Sequence, residues 1–275
     1  MEAYQFGLIG YPIKHSLSPW IHQQFFEATG INGNYSMIEI QPDKNFSESM
    51  KTLKTMQLDG FNVTVPYKQK VMDYLDEVDE EALKIGAVNT VLCKNNRLIG
   101  YNTDGIGYVR SLEQKFPKLS EKKDSPILIL GAGGAAKGIY HGLKYAGYNH
   151  ITIANRTIEK ATQIAGENCV ISMNEAQERL AEFKLIVQTT SVGMKPNEHQ
   201  SIISLENMTA ETIASDIVYQ PMMTKFLREA QIKTTSIHMG HTMLLYQAQS
   251  AFKIWTGQNP TTTGMDEALQ KQLEG

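Results

Sequence analysis

The residues best placed to do chemistry are Gly131-Ala132-Gly133-Gly134-Ala135-Ala136, a G-x-G-x-x-G/A pattern. The pattern follows the apolar run 126–130 and opens a helical stretch that closes near Gly147. In that setting Gly131 permits the tight turn, Gly133 lets backbone approach a pyrophosphate, and Ala136 lets the helix pack on the strand. The helix start then offers unpaired N–H groups and a partial positive charge to phosphate. Glycine-rich turns also cap ordinary helices, so the next strand matters. His150–Ala154 ends in Asn155-Arg156-Thr157, with Lys160 a turn further on. An NAD site usually places Asp or Glu there for the ribose hydroxyls. A guanidinium instead grips a 2′-phosphate through two parallel hydrogen bonds, and a carboxylate would repel it. These residues predict an oxidoreductase whose cofactor is NADP. Tyr140 and Lys144 also satisfy Y-x-x-x-K, but they fall on the helix after the glycine turn, too near the phosphates to reach a nicotinamide.

Hydride transfer to a ketone needs a proton donor beside the developing alkoxide and groups that hold the substrate in line. The seven histidines show no H-E-x-x-H or other metal spacing, so no metal site is expected. The first half of the chain instead clusters polar residues at strand ends and turns. These are His15-Ser16-Leu17-Ser18-Pro19, Asn62-Val63-Thr64-Val65-Pro66-Tyr67-Lys68, Gly86-Ala87-Val88-Asn89-Thr90 and Asn102-Thr103-Asp104-Gly105. Each alone has a plain structural reading: Ser18 as the cap of a helix opened by Pro19, Lys68 as a surface lysine, Asp104 as a helix cap.

Elements must carry these groups. Tyr4–Ile9 and Phe61–Val65 read as strands, with Pro66 opening a helix through Leu75. The stretch from Phe116 to Pro126 lacks periodicity and reads as a linker or surface loop. Beyond it, strands are expected at 126–130, 150–154, 185–188, 213–217 and 234–237, and a helix at 242–255. Apolar runs alternating with helices imply parallel strands and crossover helices. The chain has 275 residues, 41% hydrophobic and 20% charged, with a formal net charge of −3, so no basic surplus points to nucleic acid. Cys93 and Cys169 form no C-x-x-C pair, the N-terminus shows no secretory pattern, and no apolar run suits a bilayer. A soluble, cytoplasmic protein without membrane or nucleic-acid partners is expected.

Together the clusters resemble the shikimate dehydrogenase family over nearly the whole chain. The markers are H-S-x-S-P at 15–19, N-V-T-x-P-x-K at 62–68, G-A-V-N-T at 86–90 and N-T-D-G at 102–105. The glycine turn, N-R-T at 155–157, T-S-x-G-M at 190–194 and M-L-x-x-Q at 243–247 complete the set. The resemblance implies reversible NADPH-dependent reduction of 3-dehydroshikimate to shikimate, in aromatic amino-acid (chorismate) biosynthesis. It implies that Ser16 and Ser18 hold the substrate carboxylate with Tyr219 nearby, and that Thr64, Asn89, Asp104 and Gln247 bind the ring oxygens. Lys68 would be the acid/base residue, paired with Asp104. The cofactor would lie on Gly131, Ala132, Gly133, Gly134 and Ala135 and on Asn155, Arg156, Thr157 and Lys160, with Ile217 and Gly240 flanking the nicotinamide.

The implied fold is α/β in two domains. A discontinuous N-terminal α/β substrate domain (1–103 plus 240–275) and a Rossmann-type NADP-binding domain (104–239) would have a cleft between them, in a monomer or homodimer. Against the family's frequent D-G-x-G-M-L, this chain reads Met239-Gly240-His241-Thr242-Met243-Leu244, and it has Gln188-Thr189 where Asn-Ala is frequent. A relative that also uses quinate, or uses NAD, is the nearest alternative. A catalytically dead sensor should have lost Lys68 or Asp104, and a folate-linked dehydrogenase leaves the Ser16/Ser18 loop unexplained.

Overall fold

Apolar runs punctuated by glycine and proline become two separate six-stranded sheets in the computed structural model, which describes residues 3–274. Each sheet is the centre of its own compact unit. The first unit takes the chain up to Thr103 plus Gln247–Thr263, and the second takes Asp104–Tyr246 plus Gly264–Gly275.

In the first unit the chain runs β1 (Tyr4–Gly10), α1 (Ser18–Thr29), β2 (Gly33–Glu39), α2 (Phe46–Thr55), β3 (Gly60–Val63), β4 (Glu77–Val78), α3 (Glu80–Ile85), β5 (Thr90–Lys94) and β6 (Arg97–Tyr101). The sheet order is β2-β1-β3-β5-β6-β4. It is mixed rather than wholly parallel, because β5 runs antiparallel to both β3 and β6. Alternate side chains of β1 feed opposite faces: Phe6 stacks on Phe26 and Trp255, while Ile9 joins Phe61, Val63 and Tyr67. Gly60 has no room for a Cβ, because the Trp255 indole lies against it and donates to the Val91 carbonyl at 2.9 Å.

The second unit contains α4 (Asp104–Lys115), α5 (Pro117–Ser120), β7 (Ile127–Leu130), α6 (Gly134–Tyr145), β8 (Ile151–Ala154), α7 (Ile158–Ala165), β9 (Val170–Ile171) and α8 (Met173–Glu178). It continues with β10 (Leu185–Gln188), β11 (Ile213–Asp216), α9 (Lys225–Gln231), β12 (Ile237–Met239) and, after α10 (His241–Thr256), with α11 (Met265–Glu274). Every pairing in its sheet is parallel, in the order β12-β11-β10-β7-β8-β9. This is the doubly wound order of a dinucleotide-binding domain, with the direction of winding reversing between β7 and β10. Leu128 and Leu130 pack on one face and Ile127 and Ile129 on the other, which is why β7 reads as an unbroken apolar run.

Several local expectations give way to tertiary contacts. Ser18 is not the cap of α1. Leu17 holds that position, and Ser18 is the first helical residue with its N–H donating to Ser16 Oγ at 3.3 Å. After Pro66 there is a turn and a short 3-10 helix, Lys70–Tyr74, in place of the expected α-helix, since Tyr67 is tied by its hydroxyl to the Ile40 carbonyl at 2.8 Å. The stretch 116–126 is not a linker but holds α5 with Leu119 buried, while the boundary between units falls at Thr103/Asp104, as the domain reading expects. The last strand lies at 237–239 rather than 234–237, because pairing with Ala214–Asp216 sets its register. The segment 240–275 divides: α10 passes from the second unit into the first at Gln247, and α11 joins the second. The tie for α11 is Asp266, whose carboxylate meets His241 Nε2 at 2.5 Å, with Leu269 buried below it.

Candidate active site

On the second unit, the carboxyl ends of the parallel strands deliver the expected cofactor residues to one edge. Gly131 follows β7, Asn155-Arg156-Thr157 follow β8, Ile217 follows β11 and Gly240 follows β12. Gly131 has φ +110° and a Cβ there would strike Thr190 Cγ2 at 2.6 Å and Thr189 Oγ1 at 2.9 Å, so the turn requires glycine. Gly133 and Gly134 face the opposite situation, since a Cβ on either would meet nothing within 4 Å. That open space lies over the start of α6, where no side chain caps the helix and no acid occupies the first turn. The first N–H groups of α6 and its dipole are therefore available to an anion on that side. Arg156 and Lys160 are exposed, and Asn155 Nδ2 holds the Thr157 carbonyl at 2.7 Å, bracing the loop that carries Arg156. These residues fit a dinucleotide with a 2′-phosphate.

Ile217 and Gly240 lie against each other, and a Cβ on Gly240 would overlap the Ile217 carbonyl. The departures from the family pattern find their reasons here. Thr242 donates its hydroxyl to the Met239 carbonyl at 2.9 Å and lies 3.2 Å from His238 Nε2, fastening the turn. Gln188 is fully buried, and its Oε1 accepts from the Thr190 N–H at 2.5 Å and hydroxyl at 2.8 Å. Its Nε2 donates to the Val192 carbonyl at 3.0 Å and to Asp216 Oδ1 at 3.2 Å, so one side chain shapes the loop after β10. Asp216 also accepts from Thr224 Oγ1 at 2.6 Å and the Val218 N–H at 2.9 Å, and burial pushes its carboxyl up to about 6. Neither Asp216 nor Thr224 was singled out by sequence reasoning, and Tyr219 lies just beyond this turn, partly exposed.

Asp104 opens α4 on the same unit. The next residue, Gly105, has no space for a Cβ because the Gly138 carbonyl of α6 lies there, and a Cβ on Gly142 would meet the Gly105 backbone in return. Direct backbone contact thus sets Asp104 against α6.

On the first unit the expected substrate residues also share one end of their sheet. Thr64 follows β3 and Asn89 precedes the antiparallel β5, with Thr103, not among the expected residues, just after β6 at the same end. Ser16, on the loop after β1, and Ser18, the first residue of α1, have their hydroxyl oxygens 3.2 Å apart, close enough to serve one carboxylate. Lys68 is held by its own backbone, since its carbonyl accepts from the Val88 N–H at 2.8 Å. With Tyr67 buried, the partly exposed Lys68 is left in the turn beyond the end of β3. Asn89 and Gln247 meet at 3.5 Å. Among the described residues no group of His, Cys, Asp and Glu could hold a metal, and no helix is long and apolar enough to cross a membrane.

Comparison with known proteins bears on the whole chain. Residues 8–91 match the shikimate dehydrogenase substrate-binding domain, 111–226 the shikimate/quinate 5-dehydrogenase model, and 240–270 the shikimate 5′-dehydrogenase C-terminal domain. The NADP(+) shikimate dehydrogenase of Oceanobacillus iheyensis is 54% identical, with 98% of each chain covered. The Thermus thermophilus shikimate 5-dehydrogenase, solved with NADP(H) and shikimate, is 35% identical with a TM-score of 0.86, covering 98% of this chain and 100% of that one. A Corynebacterium glutamicum quinate dehydrogenase bound to NAD shares the fold at a TM-score of 0.85 but only 25% identity, over 99% of each chain. The chain belongs to the shikimate dehydrogenase family.

Proposed function

We propose that the protein catalyses the reversible, NADPH-dependent reduction of 3-dehydroshikimate to shikimate. The observation that carries this reading is the serine pair, Ser16 and Ser18, with hydroxyls 3.2 Å apart on a chain that also has an NADP-type strand end at Arg156. A two-hydroxyl anchor suits a small ring carboxylate, and the full-length match to NADP-dependent relatives supports the same substrate.

In this reading Ser16 and Ser18 donate to the carboxylate, with Tyr219 as a third donor. Thr64, Asn89, Asp104 and Gln247 take the ring oxygens and set the face presented for reaction. Bound NADPH supplies the hydride. Lys68 supplies a proton, or a fixed positive charge, to the oxygen that becomes an alkoxide, with Asp104 the carboxylate that the family resemblance pairs with it. The start of α6 with Gly131–Ala135 holds the pyrophosphate, Asn155–Lys160 the ribose phosphate, and Ile217 and Gly240 the nicotinamide. The enzyme works in the cytoplasm, as a monomer or homodimer, in the supply of chorismate.

A steady-state assay of nicotinamide reduction, crossing shikimate and quinate with NADP and NAD, tests the reading. Shikimate with NADP should give the highest kcat/KM by a wide margin. Equal or better turnover of quinate, or of NAD, refutes the assigned specificity.

A further inference from the structure

The first unit buries polar groups in a row: Tyr35 from β2, Asn62 from β3, Asn89, Thr90 at the start of β5, and Thr103. Such groups are tolerated in a core only when hydrogen-bonded. The direction of each bond follows from two backbone groups whose roles are fixed. The Thr103 N–H can only donate, so the Asn89 atom 2.8 Å from it is Oδ1. The Asn89 carbonyl can only accept, so the Asn62 atom 3.1 Å away is Nδ2. Asn62 therefore turns Oδ1 toward Tyr35, whose hydroxyl must donate, at 2.8 Å. The second Asn62 donor meets Thr90 Oγ1 at 3.1 Å, and the Thr90 proton goes on to Asn89 Oδ1 at 3.0 Å.

With its oxygen loaded by Thr90 and Thr103, Asn89 presents Nδ2 on the side where Gln247 lies. At the other end Tyr35 spends its single proton on Asn62. The bonds along Tyr35, Asn62, Thr90 and Asn89 all run in one direction.

We propose that Tyr35, acting through Asn62 and Thr90, is a positioning residue that helps hold Asn89 donor-outward. The device selects a ligand with a hydrogen-bond acceptor facing Asn89. It rests on the assignment of Asn89 to the substrate made above. Tyr35 itself touches neither substrate nor cofactor.

The test uses Tyr35→Phe, which keeps the ring stacked on His22 at a centroid distance of 4.3 Å but removes the proton given to Asn62. Thr90→Val breaks the same row at a second point and with nearly the same shape. Each should raise the KM for shikimate about 10-fold, the scale of a buried amide left without its donor, and leave the KM for NADP within about 2-fold of wild type. Added to Asn89→Ala, Tyr35→Phe should bring no further loss, because the two act in one unit. The proposal is overturned if both single variants keep a wild-type KM for shikimate, if the NADP KM rises equally, or if the double variant shows the product of the single effects. Wild-type protein that fails to oxidise shikimate overturns the substrate assignment and this inference with it, whereas normal wild-type turnover with unaltered variants overturns the inference alone.

Discussion

Asp216→Asn should change stability with a definite sign that reverses with pH. Asp216 ends β11, is fully buried, and is pushed by burial from 3.8 up to about 6. The difference corresponds to about 3 kcal/mol set against the charged form. The folded state binds the proton more tightly than the unfolded chain, so this group's contribution is complete below about pH 4 and is lost as pH rises through about 6. At neutral pH the wild-type protein carries a buried carboxylate whose desolvation its three donors only partly offset. Asparagine keeps an oxygen for the Val218 N–H and Gln188 Nε2, but it makes Thr224 Oγ1 accept where it now donates. Allowing about 1 kcal/mol for that loss, Asp216→Asn should be about 2 kcal/mol more stable than wild type at pH 8. The gain should still be mostly present near pH 6, halve near about pH 5 and turn into a slight deficit near pH 4. Urea unfolding of both proteins across this range measures the difference. It should be followed by far-UV ellipticity, because both tryptophans, Trp20 and Trp255, lie in the first unit. Taking the difference also removes His22 and His238, which burial lowers to about 3 and which therefore favour folding at high pH, the opposite sign. A difference that is flat with pH, or a variant least stable at pH 8, refutes the reasoning.

Other substitutions separate ligand contacts from scaffold. Arg156→Ala should weaken NADP binding roughly 10- to 100-fold, the value of a charge-assisted phosphate contact, with NAD use nearly unchanged in paired titrations; equal loss with both makes Arg156 structural. Lys68→Met should lower kcat by ~10² or more with smaller changes in KM and an unaltered melting temperature, and near-normal turnover would remove Lys68 from the mechanism. Gly133→Ala should melt like wild type, since its Cβ meets nothing within 4 Å, yet bind NADP at least about 10-fold more weakly by calorimetry. Gly142→Ala should do the reverse first, losing about 1–3 kcal/mol of stability because rigid backbone on Gly105 cannot yield.

The nucleotide half was legible because its signals are local. A doubly buried strand, a glycine turn and a helix start adjoin in sequence, and Arg156 follows the next strand without interruption. The substrate half was legible only as motifs, whose joint pattern outweighed the plain reading each had alone. What failed depended on distant partners. Ser18 before Pro19 has the local grammar of a helix cap, but a hydrogen bond to Ser16 moves the cap to Leu17 and leaves the Ser18 hydroxyl for other work. The run 234–237 has strand propensity, yet parallel pairing with β11 selects 237–239. Nothing near the C-terminus announces that Asp266 will bond His241, so α11 could not be assigned to the second unit from sequence. Tyr35 gives no signal at all: a tyrosine in a half-exposed edge strand becomes meaningful only once Asn62 stands 2.8 Å from its hydroxyl.

The glycines show why a motif letter is not a physical requirement by itself. In the turn after β12 the family pattern has two glycines and this chain keeps one. The retained Gly240 faces the Ile217 carbonyl at a separation that excludes any Cβ, so the contact between the ends of β11 and β12 depends on it. The position that became Thr242 is the second residue of α10, where a side chain is accommodated and its hydroxyl bonds the Met239 carbonyl. Substitution there exchanges backbone freedom for a fastening, while substitution at Gly240 would move the strand end that carries Ile217. The same logic separates Gly131, needed for its φ, from Gly133, whose missing Cβ matters only to whatever occupies the space above α6. A glycine that crowds protein is read in stability, and a glycine that faces open space is read in ligand affinity.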